Sequence, residues 1–318
     1  MIEIIAPSRL HMTLIDLNAS LGRVDGGIGI TLQEPAMCIR AEAGDGINIS
    51  GQSEHAQRMH DSAQKVSDAF GIGGVSIEVV SDYPSHTGLG SGTQASLAAA
   101  YAVCAVHGID VSVRRLSEIV GRGGTSGIGV AAFERGGFIL DGGHKFSEKG
   151  GFKPSAASVA KPAPVVLQRD FPNWDIVLVL PDLKGASSSK EVDIFKQFCP
   201  IPLRDVQELS HVILMQLLPA LVEEDITTFG DAVNRIQDVG FKKHEVALQH
   251  PIIHEIMELC RNAGAYGVGM SSFGPAVYVF CDNAEQMKKS IAKKLDESVG
   301  GECRIVHANN SGAAIRHM

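Results

Sequence analysis

The chain has 318 residues, 44% of them hydrophobic, and a net charge of −8. That length is enough for two domains that each bury a core. An isoelectric point near 5.8 and mean hydropathy of +0.09 exclude a disordered chain and argue against non-specific binding to nucleic acid or an anionic membrane.

The first half reads as strands broken by glycine turns: Met1–Ala6, Leu10–Leu14, Gly27–Leu32, Met37–Ala41 and Ile47–Ser50. A polar helix from Glu54 to Phe70 leads into a strand at Val75–Val80, then a glycine loop and a small-residue helix to about His107. Ser112–Val120 reads as a helix and Gly136–Leu140 as a strand. Lys149–Pro164 loses the periodic pattern and is expected to link domains at 1–164 and 165–318. The second half opens with a strand at Trp174–Leu180. Helices at Ser189–Phe198, Val206–Val222, Ile226–Val239 and Ile252–Ala263 follow. The chain ends strand Ala276–Phe280, helix Ala284–Ser298, strand Glu302–Val306, an α+β pattern. The six cysteines, Cys38, Cys104, Cys199, Cys260, Cys281 and Cys303, show no C-x-x-C pair. No leader-like stretch and no bilayer-length apolar run is seen, so a reducing cytoplasm is expected.

Chemistry concentrates in four segments. Pro84 and the run Gly88, Leu89, Gly90, Ser91, Gly92, Thr93 and Gln94 stand between a strand and a helix. There, glycines bring main-chain amides close to a ligand and the helix start favours an anion. No Gly-Lys dipeptide and no G-x-G-x-x-G run occurs, which excludes a Walker loop and a dinucleotide fingerprint. On the first strand Arg9, His11 and Thr13 share one face, Arg9 suited to a phosphate or carboxylate and His11 to an anion or a proton. Asp16 follows. Asp25, Gly26 and Gly27 suit either a hairpin turn or a backbone approach to ligand, with Asp25 toward a sugar hydroxyl or metal. A second glycine-rich loop carries Arg122 and Ser126, and a third, before the strand at Ala276, carries Ser271 and Ser272.

Two further segments read as structural. His250 and His254 are four apart, but Pro251 starts a helix and leaves His250 at its cap, so no metal is expected there. In Asp182–Ser189 the serines suit a helix cap, with Lys184 reaching a diphosphate as the alternative.

The P-x-x-x-G-L-G-S pattern at Pro84 and Gly88–Ser91 resembles the phosphate loop of the GHMP kinases, and Gly264–Pro275 resembles that family's third motif. The resemblance implies an α+β, two-domain GHMP-kinase-like fold, an N-terminal βαβ sandwich followed by a ferredoxin-like domain. Aligning Ser126–Gly137 on the family's G-V-D-N segment puts Gly129 where the catalytic aspartate belongs, and Arg9 where a lysine is usual. Phosphoryl transfer needs a group to orient the attacking hydroxyl, which glycine lacks.

Within the superfamily, S-R-L-H-M-T-L-I-D-L-N from Ser8, D-G-G-I-G, G-L-G-S-G-T-Q and G-M-S-S-F-G-P resemble the archaeal β-ribofuranosylaminobenzene 5′-phosphate synthases. That likeness implies condensation of phosphoribosyl pyrophosphate (PRPP) with 4-aminobenzoate or 4-hydroxybenzoate, releasing carbon dioxide and pyrophosphate in tetrahydromethanopterin synthesis. It implies Mg²⁺ as cofactor, catalytic Arg9, His11 and Asp16, and no nucleic-acid or membrane partner; a homodimer is expected. The rival readings are a kinase with a relocated acid at Asp141 or Asp16, and a non-catalytic ligand sensor.

Overall fold

The computed structural model describes residues 1–154, 157–158, 160–185 and 188–318, with Ser188 described by its backbone only. Two long strands dominate the first half. β1 (Ile2–Asp16) and β2 (Arg23–Gly44) pair antiparallel from Ile2↔Ala41 to Asp16↔Asp25. The short strands expected around Arg9 therefore merge, because the register shifts at Pro7/Ser8 and His11/Thr13 bend the ladder without ending it.

Next come β3 (Ile47–Ser50), α1 (Ala56–Phe70) and β4 (Gly74–Ser81), with β3 and β4 parallel. α2 (Ser91–Val106) is buried along nearly its whole length, and its Ala95, Ala98, Ala99 and Ala102 let it sit close under the sheet. α3 (Val113–Val120) is capped by Ser112, which accepts a hydrogen bond from Arg115 N. α4 (Ile128–Glu134), β5 (Phe138–Asp141), β6 (His144–Lys145) and α5 (Phe146–Lys149) complete the first unit, β5 and β6 both pairing along β2.

β7 (Val165–Arg169) pairs with β5, so the change of domain comes after Arg169 and not at residue 164. The second unit runs β8 (Ile176–Pro181), α6 (Ser188–Phe198), α7 (Leu203–Val212), α8 (Leu218–Glu223), α9 (Ile226–Gln237), α10 (Gly240–Ala247) and α11 (Pro251–Asn262). It ends with β9 (Gly267–Met270), β10 (Val277–Phe280), α12 (Ala284–Asp296) and β11 (Gly301–Val306). Its antiparallel sheet has the order β11-β8-β10-β9, the ferredoxin-like arrangement expected from the sequence. β12 (Ala314–His317) returns to pair with β1, tying the chain's end to the first sheet.

The single helix expected at Val206–Val222 is divided by a π-helical turn at Ile213–Leu217, just before Pro219. Proline has no N–H to give the preceding turn, so the helix widens there. His250 caps α11, its Nδ1 accepting from Ile252 N at 3.3 Å, as Pro251 at the first helical position demands. The cap expected from Ser187 and the Ser188 side chain lie outside the described residues. No helix among the described residues is long and apolar enough to cross a membrane, and the six cysteines are free thiols.

Candidate active site

The glycine loop after β4 delivers the chain into α2 with Gly90 as N-cap at φ +83°, and no side chain caps that helix. Its first N–H groups and positive dipole end are left to face a ligand. A Cβ on Gly90 would lie 3.1 Å from Arg9 Cζ, and one on Gly92 would lie 3.0 Å from Arg122 Nη2 and 3.2 Å from Arg58 Cζ. Three guanidinium groups thus ring the start of α2. Burial lowers Arg9 and Arg122 to about 10, the neighbouring arginines adding to the effect at Arg122. The Nε of each is buried without a hydrogen-bond partner. Unmatched buried donors are costly, so this arrangement suits an anion that satisfies them.

The third glycine loop closes over the first. Ser271 Oγ donates to the Gly88 carbonyl at 2.7 Å and accepts from His11 N at 2.9 Å. Arg9 Nη1 donates to the same Gly88 carbonyl at 2.5 Å, and Arg9 N to the Leu89 carbonyl at 3.0 Å. Gly88, at φ +87°, has to be glycine: a Cβ there would lie 2.3 Å from Ser271 O. Ser272 N donates to the His11 carbonyl at 2.8 Å.

Arg9 borders two adjoining pockets. One is formed with Thr93, Arg122, Ser126 and Gly129 at the start of α2. The other contains His11, Leu14, Ser126, Glu191, Phe195, Glu245, Ser272 and Phe273. His11 is 5% exposed, and burial with Arg9 and Lys242 nearby holds its pKa well below the usual value. The ring is therefore neutral at physiological pH, and its Nδ1 is buried without a partner.

Several expected site residues take other parts. Asp16 Oδ1 accepts from Asn18 N and Ala19 N, at 2.8 and 3.0 Å, and serves the turn after β1. Asp25 is buried against Lys149 Nζ, 2.7 and 2.6 Å from its two oxygens, and His144 Nδ1 at 2.6 Å. It is a structural ion cluster rather than a sugar or metal ligand. Asp25 and Gly26 lie within β2 with φ of +65° and +66°, and Gly27 leaves room for His11, whose Nε2 would lie 3.2 Å from a Cβ there. Thr13 leaves the Arg9–His11 face, because the register shift at His11/Thr13 breaks the alternation; its hydroxyl donates to the Leu14 carbonyl. Leu89 is a core residue, and Gln94 Nε2 ties α2 to the Gly129 carbonyl at 2.9 Å. Ser91 is buried in the first turn of α2. Lys184 borders an outer cavity of about 950 Å³ behind the loop, which neither Arg9 nor His11 lines.

Neither Gly129 nor Asp141 offers a free acid for phosphoryl transfer. At Gly129 a Cβ would meet Thr93 Cγ2 at 3.1 Å. Asp141 is 1% exposed with both oxygens taken, Oδ2 by Gly127 N at 2.8 Å and Oδ1 by Gly143 N at 3.0 Å; burial raises it to about 6.

Sequence reasoning missed Glu191, Phe195, Lys242, Glu245, Phe273 and Arg58. Lys242 and Glu245 pair at 2.5 Å in full burial, and the Lys242 ammonium also donates to the Ser272 carbonyl at 2.9 Å. The only linear signal was a Lys/Glu pair three apart in a segment given no helix. As for Mg²⁺, no carboxylate lines the pocket at α2, and no cluster of three His, Cys, Asp or Glu occurs among the described residues. The donor set does not fit a protein-held magnesium, which needs oxygen ligands.

Comparison with known proteins agrees with this architecture. The GHMP kinases N terminal domain model matches residues 56–137 and the GHMP kinases C terminal model matches residues 217–297. Mevalonate kinase from L. major, solved with R-mevalonate, superposes with a TM-score of 0.70 at 16% identity, covering 97% of this chain and 96% of that one. Beta-ribofuranosylphenol 5′-phosphate synthase of Archaeoglobus fulgidus is 47% identical over 99% of both chains. That of Methanothermobacter thermautotrophicus is 46% identical over 96% of both. With near-complete coverage at this identity, the chain belongs to the β-ribofuranosylphenol 5′-phosphate synthase family, built on the GHMP kinase fold.

Proposed function

We propose that this protein joins PRPP to 4-hydroxybenzoate with loss of carbon dioxide and pyrophosphate, giving β-ribofuranosylphenol 5′-phosphate for tetrahydromethanopterin synthesis. The carrying observation is Arg9, which borders both the anion pocket at α2 and the aromatic-lined pocket beside His11. The names of the relatives, which describe a phenol product, favour the hydroxy acid over the amino acid.

In this reading the diphosphate of PRPP lies on the α2 amides between Arg9, Arg58 and Arg122, where developing negative charge on the leaving group is met by fixed donors. Its Mg²⁺ would travel as the counter-ion of the diphosphate, since no carboxylate lines the pocket at α2. The anomeric carbon then points toward the second pocket. There the ring sits against Phe195 and Phe273, with its carboxylate end near Arg9 and neutral His11. A cytoplasmic location belongs to this reading, and six free thiols support it.

Purified protein should release labelled carbon dioxide from carboxyl-labelled 4-hydroxybenzoate only when PRPP and Mg²⁺ are both supplied. Transfer of the γ-phosphate of ATP to a small alcohol, with PRPP ignored, would replace this reading with the kinase one. Binding of either substrate without turnover would leave a ligand sensor.

A further inference from the structure

We propose that Glu191, backed by Glu245, faces the para-hydroxyl of the bound acid and takes its proton as the ring attacks the ribose. The proposal rests on the function just given. It names the one step there for which that account supplied no group.

The pocket has one apolar wall, Leu14, Phe195 and Phe273, which fits a flat ring. Its ionisable groups are Arg9 and His11 from β1, and Glu191 and Glu245 from α6 and α10, with the neutral Thr125, Ser126 and Ser272 also on the lining. The two cationic or neutral donors suit the carboxylate end of the acid, which leaves the two carboxylates for the hydroxyl end. His11 Nδ1, buried and unpartnered in a residue 5% exposed, is the independent sign that this pocket is built for a ligand.

The two glutamates are not equivalent. Glu245 is committed to Lys242 at 2.5 Å. Glu191 has no hydrogen-bond partner among the described residues, and burial, then the neighbouring charge of Glu245, raise it to about 7 against the opposing pull of Arg9. A carboxylate that binds protons this readily is suited to receive one near neutral pH. The charged and titratable groups facing it are Arg9 and His11 on β1, Glu245 and its partner Lys242 on α10.

The O–H bond breaks and its proton passes to the Glu191 carboxylate. The oxygen pair moves into the ring, and the ring carbon bearing the carboxylate bonds to the anomeric carbon. The anomeric C–O bond breaks with its pair leaving on diphosphate. The carbon–carboxylate bond then breaks, carbon dioxide departs, its electron pair restores the aromatic ring, and the oxygen recovers its proton from Glu191. No outside oxidant or reductant is needed.

The test compares 4-hydroxybenzoate with 3,5-difluoro-4-hydroxybenzoate, whose phenol ionises without help, in wild type and Glu191→Gln. The variant should lose about 100- to 1,000-fold in kcat on the parent acid and less than about 10-fold on the fluorinated one. The acid limb of the wild-type rate profile should also fade with the fluorinated acid. Equal losses on both acids, or no loss on either, would overturn the assignment. Retained binding of 4-hydroxybenzoate by the variant, read by equilibrium dialysis, shows that the pocket is intact. If wild-type enzyme releases no carbon dioxide from either acid with PRPP, it is the proposed function that fails, whatever Glu191 does.

Discussion

The hydroxyl of Ser271 bridges His11 N and the Gly88 carbonyl, at 2.9 and 2.7 Å, although the three residues come from a second-domain loop, the first strand and the phosphate loop. Replacing it with alanine strands a buried main-chain donor. Ser271→Ala should lower unfolding free energy by about 1–3 kcal/mol, measured by urea denaturation, and should also reduce kcat because Gly88 and His11 lose their common tether.

Arg9 serves two masters, the Gly88 carbonyl through Nη1 and an incoming anion through its unpartnered Nε. Lysine keeps the charge but has no planar fork to do both. Arg9→Lys is expected to cost about 10- to 100-fold in kcat/KM, the worth of one charge-assisted hydrogen bond. Turnover equal to wild type would place the site elsewhere.

Gly92 leaves space for Arg122 Nη2 and Arg58 Cζ at the first turn of α2. In Gly92→Val the branched side chain displaces both guanidinium ends, which are flexible, so the fold survives while the anion site is disturbed. The expected result is a raised KM for PRPP with an unchanged KM for the aromatic acid, read from steady-state kinetics.

His11 provides a pH test. Its folded pKa lies well below 6.5, so below that pH the unfolded chain binds a proton that the folded one refuses. Stability from this source is complete above pH 6.5 and is lost as pH falls, by about 1.4 kcal/mol for the first unit. Wild type should therefore lose more stability than His11→Gln between pH 7.5 and 5.5, a difference visible in thermal melts at the two pH values.

Lys149 neutralises Asp25 deep inside the first domain, and burial lowers its own pKa against the pull of Asp25. Lys149→Met would leave the carboxylate with His144 alone. A destabilisation of about 3–5 kcal/mol is expected, with kcat per folded molecule unchanged. A selective loss of activity in a fully stable variant would return Asp25 to the site.

The order of residues marked the places where the backbone must do something only glycine permits. The left-handed turns at Gly88 and Gly90 and the uncapped start of α2 depend on residues a few positions apart, so the anion site and its family were legible from the order of residues alone. Arg9 and His11 were legible for the same reason, lying beside each other on one strand.

The roles of the carboxylates were decided only by the tertiary structure. Asp16 and Asp25 looked like chemistry because they stand in glycine-rich or motif-like surroundings, yet one holds a turn and the other a buried lysine. Glu191 carried no local signal and Glu245 only the lysine three residues before it, because what sets a carboxylate's task is the depth of burial and the charges packed around it. The charges that act on Glu191, Arg9 from the first strand and Glu245 from a late helix, lie far along the chain and meet it only in the folded molecule.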